Sequence, residues 1–156
     1  MAKEYSDAPE VREIAEKLIE ILKPELEGFE IKFVMCSENP KKDGEEKAGL
    51  ARKVTGLNAF IAGHPEGFFC LETGRPAWDI MDAQAQVRYV HHELCHFGVA
   101  DSGNLMIIPH DIEEFNEIAE VHGAADDRLI LFGAALEKGN NNRTNRDELI
   151  DRVLNG

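Results

Sequence analysis

The first apolar positions of the chain recur at helical spacing. Val11, Ile14, Leu18 and Ile21 fall on one side of a helix that Asp7, Pro9 and Glu10 open, with a carboxylate cap, a first-turn proline and an acid near the positive end of the dipole. Pro24 should end it. From Glu30 to Cys36 the period changes: Ile31, Phe33 and Met35 alternate with Lys32 and Val34, as in a half-buried strand. Residues 39–47, rich in Pro, Gly and charge, read as a solvated loop. Leu50–Leu57 and Phe68–Glu72 form two more strand-like runs, parted by Gly63, His64, Pro65 and Gly67. Together these runs predict a small sheet of about three strands, antiparallel in part.

Between Trp78 and Val99 the residues Ile80, Ala83, Val87, Val90, Leu94 and Phe97 define one apolar stripe, which predicts a single long helix. At ~100° per residue, Ala85, Tyr89, His92 and His96 occupy the other side of that helix. A loop through Asp101, Ser102 and Gly103 follows, then an apolar run at residues 105–108 too short to assign. After Pro109, the residues Ile112, Phe115, Ile118 and Val121 predict another amphipathic helix, with Asp111 and Glu114 spaced as a capping box and Gly123 as its stop. Leu129 to Leu136 reads as a helix packed on the core, residues 139–142 as a turn, and Arg146 to Leu154 as a short terminal helix. The pattern as a whole is α+β, in one domain spanning residues 1–156.

Composition narrows the partners. The chain carries 17 Lys and Arg against 30 Asp and Glu, a formal charge of −13, so phosphate backbones and anionic membrane surfaces are repelled by most of its exterior. Neither nucleic acid nor membrane is expected as a partner. Cys36, Cys70 and Cys95 show no CxxC spacing, and their odd number suits a reducing cytoplasm better than a disulfide framework. The charged N-terminal stretch MAKEYSDAPEVREIAEK lacks the apolar segment of a signal peptide, and no apolar run approaches a membrane span.

The sequence His92-Glu93-Leu94-Cys95-His96 is an HExxH motif on a predicted helix. Residues four apart share a face, with roughly 5–6 Å between Cβ atoms, so two imidazoles can converge on one ion. Glu93, one position round the helix, can reach a water at that ion and act as general base. Zinc fits such a pair, and a catalytic zinc takes three protein ligands and leaves a place for water. His110, shortly downstream, is the leading third ligand; Glu113, Glu114 and Glu117 are alternatives, since a glutamate on a second helix also completes such a site. The reaction indicated is hydrolysis of a peptide or protein substrate. A zinc-binding regulatory protein without catalysis and a hydrolase of a non-peptide amide are the competing readings.

The order HELCH, a short loop, PHDIEEF and EVHG, with DAPEVREIAEKLIE, ARKVTGLNAF and PAWDIMDAQAQ upstream, resembles the putative phage metallopeptidase family and, more distantly, the SprT-like zinc metallopeptidases. The likeness is strongest over residues 7–123 and leaves 124–156 as a helical extension. It implies a zincin-like fold, with a small mixed sheet packed against the active-site helix and an edge strand beside the substrate cleft. It also implies that His92, His96 and His110 hold zinc, His110 opening the helix that follows, and that Glu93 is the catalytic acid/base. SprT-like proteins often add a zinc ribbon or a basic DNA-binding segment, and this chain has neither. Other residues read more plainly: Cys95 as a buried structural thiol, His91 as exposed or supporting, Tyr89 as cleft wall or oxyanion donor, Asp111 as a cap or an orienter of a ligand histidine, and Trp78 as a core anchor. His64 and His122 read as loop and helix-end residues.

Overall fold

The computed structural model describes residues 2–156, and contacts divide the chain into two compact units, Met1–Ile108 and Pro109–Gly156. The fold is mixed α+β.

The first unit begins with strand β1 (Tyr5–Asp7) and helix α1 (Pro9–Leu22), followed by a 3₁₀ turn at Pro24–Leu26. Asp7 therefore belongs to a strand, and the N-cap position is Ala8, which makes no side-chain cap. Strand β2 (Ile31–Cys36) leads to a small hairpin, β3 (Lys41–Lys42) and β4 (Glu45–Glu46), inside the segment expected to be loop. Then come β5 (Gly49–Val54), helix α2 (Gly56–Ile61) and β6 (Phe68–Gly74).

Strands β1, β2, β6 and β5, in that order, make a four-stranded sheet, parallel between β2 and β6 and antiparallel elsewhere. The central position of β6 explains its near-continuous apolar run, since a strand flanked on both sides and covered on one face leaves little surface. On the covered face, Ile31, Phe33 and Met35 stand beside Phe69, Leu71 and Thr73. Val11, Ile14, Ala15 and Leu18 of α1 are buried with them. On the other face the carboxylate of Glu72 is buried but accepts hydrogen bonds from Arg52 Nη2 at 2.9 Å and Nε at 3.2 Å.

The single long helix predicted for Trp78 to Val99 is in fact three elements. Helix α3 (Arg75–Ile80) ends at Met81, whose ψ of 136° is extended. Asp82 then caps α4 (Ala83–Leu94), its carboxylate accepting a hydrogen bond from the Ala85 backbone N–H at 2.8 Å. The cap costs the apolar stripe its first member: Ile80 is 87% exposed, whereas Val87, Val90 and Leu94 are buried. Phe97, the stripe's last member, lies in strand β7 (Phe97–Val99), which pairs antiparallel with β8 (Leu105–Ile107).

Tyr89 anchors α4 to the sheet. Its hydroxyl lies 2.8 Å from Thr73 Oγ1 on β6, and its ring meets Trp78 edge-on at 6.1 Å between centroids. Gly49 of β5 makes room for it, because a Cβ there would overlap the Tyr89 hydroxyl and come within 2.7 Å of the Glu72 carbonyl oxygen. Trp78 is the core anchor expected of it.

In the second unit, helix α5 (Asn116–His122) starts six residues later than His110, and Phe115 occupies its N-cap position without a side-chain cap. The capping box expected of Asp111 and Glu114 does not form; Glu114 instead accepts from the adjacent Phe115 N–H at 2.9 Å. Gly123, at φ 65°, ends the helix as predicted, in a conformation that favours glycine. Helix α6 (Asp127–Asn141) runs through the expected turn at 139–141, and α7 (Arg143–Asn155) follows almost at once. Contrary to the core role expected of residues 129–136, no residue of α6 is buried.

Burial drives the Tyr89 phenol well above its ordinary range, against the opposing effect of its bond to Thr73. An unfolded tyrosine ionises near pH ~10, so the unfolded chain releases that proton first and the native state loses stability as pH rises past that point. Tyr89→Phe should lower stability at neutral pH by about 1–2 kcal/mol through the lost hydrogen bond and flatten this alkaline decline. Denaturant melts at pH 7.5 and above pH ~10 check both effects.

Candidate metal centre

Local backbone geometry brings the HExxH residues together. Helix α4 closes at Leu94, but Cys95 keeps helical dihedrals, φ −64° and ψ −20°, so His96 still lies one turn beyond His92. The two rings are 5.3 Å apart between centroids and steeply inclined at 75°. Immediately after His96 the chain is pinned: Phe97 is buried and stacks on Phe69 of β6 at 4.5 Å, with an interplanar angle of 24°.

The β7–β8 hairpin then returns the chain to its starting point. Ile108 donates its N–H to the His96 carbonyl at 2.7 Å, and the Ile108 carbonyl accepts from His96 Nδ1 at 2.6 Å. A carbonyl can only accept, so Nδ1 carries the proton and Nε2 is left with its lone pair for a metal. This is the role that sequence reasoning offered to Asp111, filled here by a main-chain oxygen. Composition gives no sign of it, because any residue at position 108 supplies the same carbonyl. The hairpin is also tied to the sheet, Lys53 Nζ donating to the Leu105 carbonyl at 3.3 Å.

His110 follows Ile108 by two residues, in an irregular segment and not at the opening of a helix. Even so, among the described residues His92, His96 and His110 form one group whose ligand atoms all lie within 4.8 Å of one another. Glu113, Glu114 and Glu117 are exposed and stand outside that group. Three imidazole nitrogens suit a borderline ion such as zinc, and modest side-chain rotation brings donors at this spacing to the ~3.3 Å separation of a tetrahedral site with ~2.0–2.1 Å bonds. The donor set fits a metal ion.

Glu93, ~100° round α4 from His92 and nearer to His96, is buried. Burial raises its carboxyl above the ordinary carboxylate range, and the neighbouring His96 opposes that shift. The Tyr89 hydroxyl is held by Thr73, which favours the anchoring role over that of an oxyanion donor. His91 is partly buried, and burial together with Lys23 lowers its pKa. Cys95 is exposed, where a buried thiol had been expected: it occupies the last turn of the motif on the solvent side, while Leu94 fills the core. His64 lies in a loop, 3.6 Å from Glu66, and His122 ends α5. No helix among the described residues is long and apolar enough to cross a membrane.

An α+β scaffold carrying three convergent histidines on a helix end and the return of a hairpin defines a candidate metalloprotein. Residues 3–137 match the family described as putative phage metallopeptidase, and the chain belongs to that family. No curated protein and no solved structure matches it.

Gly98 sits where β7 meets Ile108, and a Cβ there would come within 2.6 Å of Ile108 Cδ1 and 2.9 Å of Cγ1. Gly98→Val should push Ile108 away from His96 and weaken metal affinity by roughly 10–100-fold, the usual cost of disturbing a ligand's orienting partner. Metal titration with a competing chelator measures this. Unchanged affinity would separate the Ile108 carbonyl from the site.

Proposed function

We propose that the chain is a zinc-dependent metallopeptidase with a zincin-like arrangement, in which His92, His96 and His110 hold the ion and Glu93 is the general base. The observation that carries this reading is the convergence of three imidazoles beside a buried carboxylate in the adjoining helical position, in a member of a metallopeptidase family. Zinc is preferred because the group contains only imidazoles and because amide hydrolysis needs a redox-inert Lewis acid. When bound, the ion acidifies a water and polarises the scissile carbonyl.

The chain's own residues do the rest. Glu93 takes a proton from the attacking water and returns it to the departing amine nitrogen. Its burial suits this work, since a carboxylate raised above its ordinary range is a stronger base. The Ile108 carbonyl fixes the His96 tautomer and so the direction of its ligating nitrogen. Strand β5 is an edge of the sheet, and its outer backbone groups can accept an extended peptide as an added strand.

Glu93→Gln keeps the size of the side chain and removes the base. It should retain zinc at wild-type stoichiometry while peptide cleavage falls by roughly 10²–10⁴-fold, the usual range for a general base. Cleavage of a peptide library alongside metal analysis checks both halves. Wild-type cleavage by the variant would contradict the role of Glu93. Zinc binding without cleavage of any peptide by the wild-type chain would favour a regulatory protein, and cleavage confined to non-peptide amides a different hydrolase.

A further inference from the structure

Helix α6 carries Arg128, Leu131, Phe132 and Ala135 at the spacing i, i+3, i+4 and i+7, which puts all four on one face. Asp111, from the irregular segment that precedes α5, joins them in lining a cavity of about 360 Å³, all of it within the second unit. That volume is at the lower end of the ~300–1,000 Å³ typical of small-ligand sites, a size for one large side chain.

The lining defines the guest. Leu131, Phe132 and Ala135 contribute apolar surface, and with Leu131 70% and Phe132 40% exposed that surface is open to an incoming group. Asp111 and Arg128 carry opposite charges, so a charged guest is repelled by one as it is drawn to the other, whereas an apolar guest is stabilised by leaving water. The same two groups match a peptide main chain: a carboxylate accepts from its N–H, and a guanidinium donates to its carbonyl.

The cavity also adjoins the metal centre. Asp111 follows His110 directly, ~3.8 Å away between Cα atoms, and His110 belongs to the three-histidine group. A peptide extends ~3.3 Å per residue, so one lying at His110 brings a side chain to the cavity within a few residues.

We infer that this cavity is the specificity pocket of the metal centre, receiving a large apolar side chain of the peptide substrate, with Ala135 setting its depth. The inference rests on the peptidase reading above.

Fluorescence anisotropy of the full-length, zinc-loaded chain carrying Glu93→Gln tests the pocket without cleavage. The probes are a short labelled peptide of glycine and alanine with one central leucine, and its counterpart with alanine in that place. The leucine peptide should bind roughly tenfold tighter or more, as expected of added methylenes in an apolar pocket. Ala135→Trp, which fills the cavity from an exposed helical position, should remove that preference while zinc stoichiometry and helicity stay unchanged. Ala134→Trp, ~100° round the helix and outside the lining, should keep it. Equal or absent binding of the two peptides, a preference that survives Ala135→Trp, or the same loss in Ala134→Trp would each overturn the inference. Cleavage by the chain with Glu93 intact separates the two readings. A leucine preference in binding with no cleavage contradicts the peptidase and supports the pocket, and cleavage with no leucine preference does the reverse.

Discussion

Two hydrogen bonds between His96 and Ile108 hold the site together. One joins main chain to main chain, Ile108 N–H to the His96 carbonyl at 2.7 Å; the other joins the His96 ring to the Ile108 carbonyl at 2.6 Å. The first fixes where the chain returns after the β7–β8 hairpin, and the second fixes which imidazole nitrogen carries the proton. His110 is then only two residues away, too few to carry it far. The sheet secures this clamp from below, through Phe97 stacked on Phe69 and Tyr89 bonded to Thr73. A helix end, a hairpin and a sheet face thus converge on three side chains.

Burial and exposure are divided along the same helix. Leu94 and Glu93 face inward, His92 and Cys95 face solvent, and His96 lies between. The proposed reaction would use this division, with the histidines within reach of an ion and the carboxylate desolvated enough to hold a proton with moderate strength. The phase of one helical turn sets both conditions at once, which is why two histidines and a glutamate at fixed spacing carry so much chemistry.

The parts of the fold legible in sequence were those governed by local periodicity. The alternation at Ile31, Phe33 and Met35, the stripe of α1 and the stop at Gly123 all appear where expected. Misreadings arose where a local cap or a long-range contact prevailed over the stripe. Asp82 interrupts a run whose apolar spacing continues across it, because capping the Ala85 N–H outweighs an extra turn that would have carried Ile80. Phe97 matches the helical stripe, yet its stacking on Phe69 draws it into a strand. Cys95 lies ~100° round the helix from Leu94, far enough from the buried stripe to be exposed. At the site, the motif histidines and His110 were legible from spacing and resemblance, but the clamp that brings them together depends on a main-chain carbonyl that no side chain announces. The apolarity of α6 predicts a helix packed on the core, but apolarity alone does not reveal what such a helix packs against, and none of its residues is buried.

The central claim is that three imidazoles from these positions share one zinc ion. X-ray absorption at the zinc edge of the metal-loaded protein tests it most directly, because it counts and identifies the donor atoms. The account predicts a first shell of nitrogen and oxygen only, at about 2.0–2.1 Å, with multiple scattering from three histidine rings. A sulfur shell at about 2.3 Å, which would place the exposed Cys95 on the metal, or scattering from only two imidazoles would contradict it.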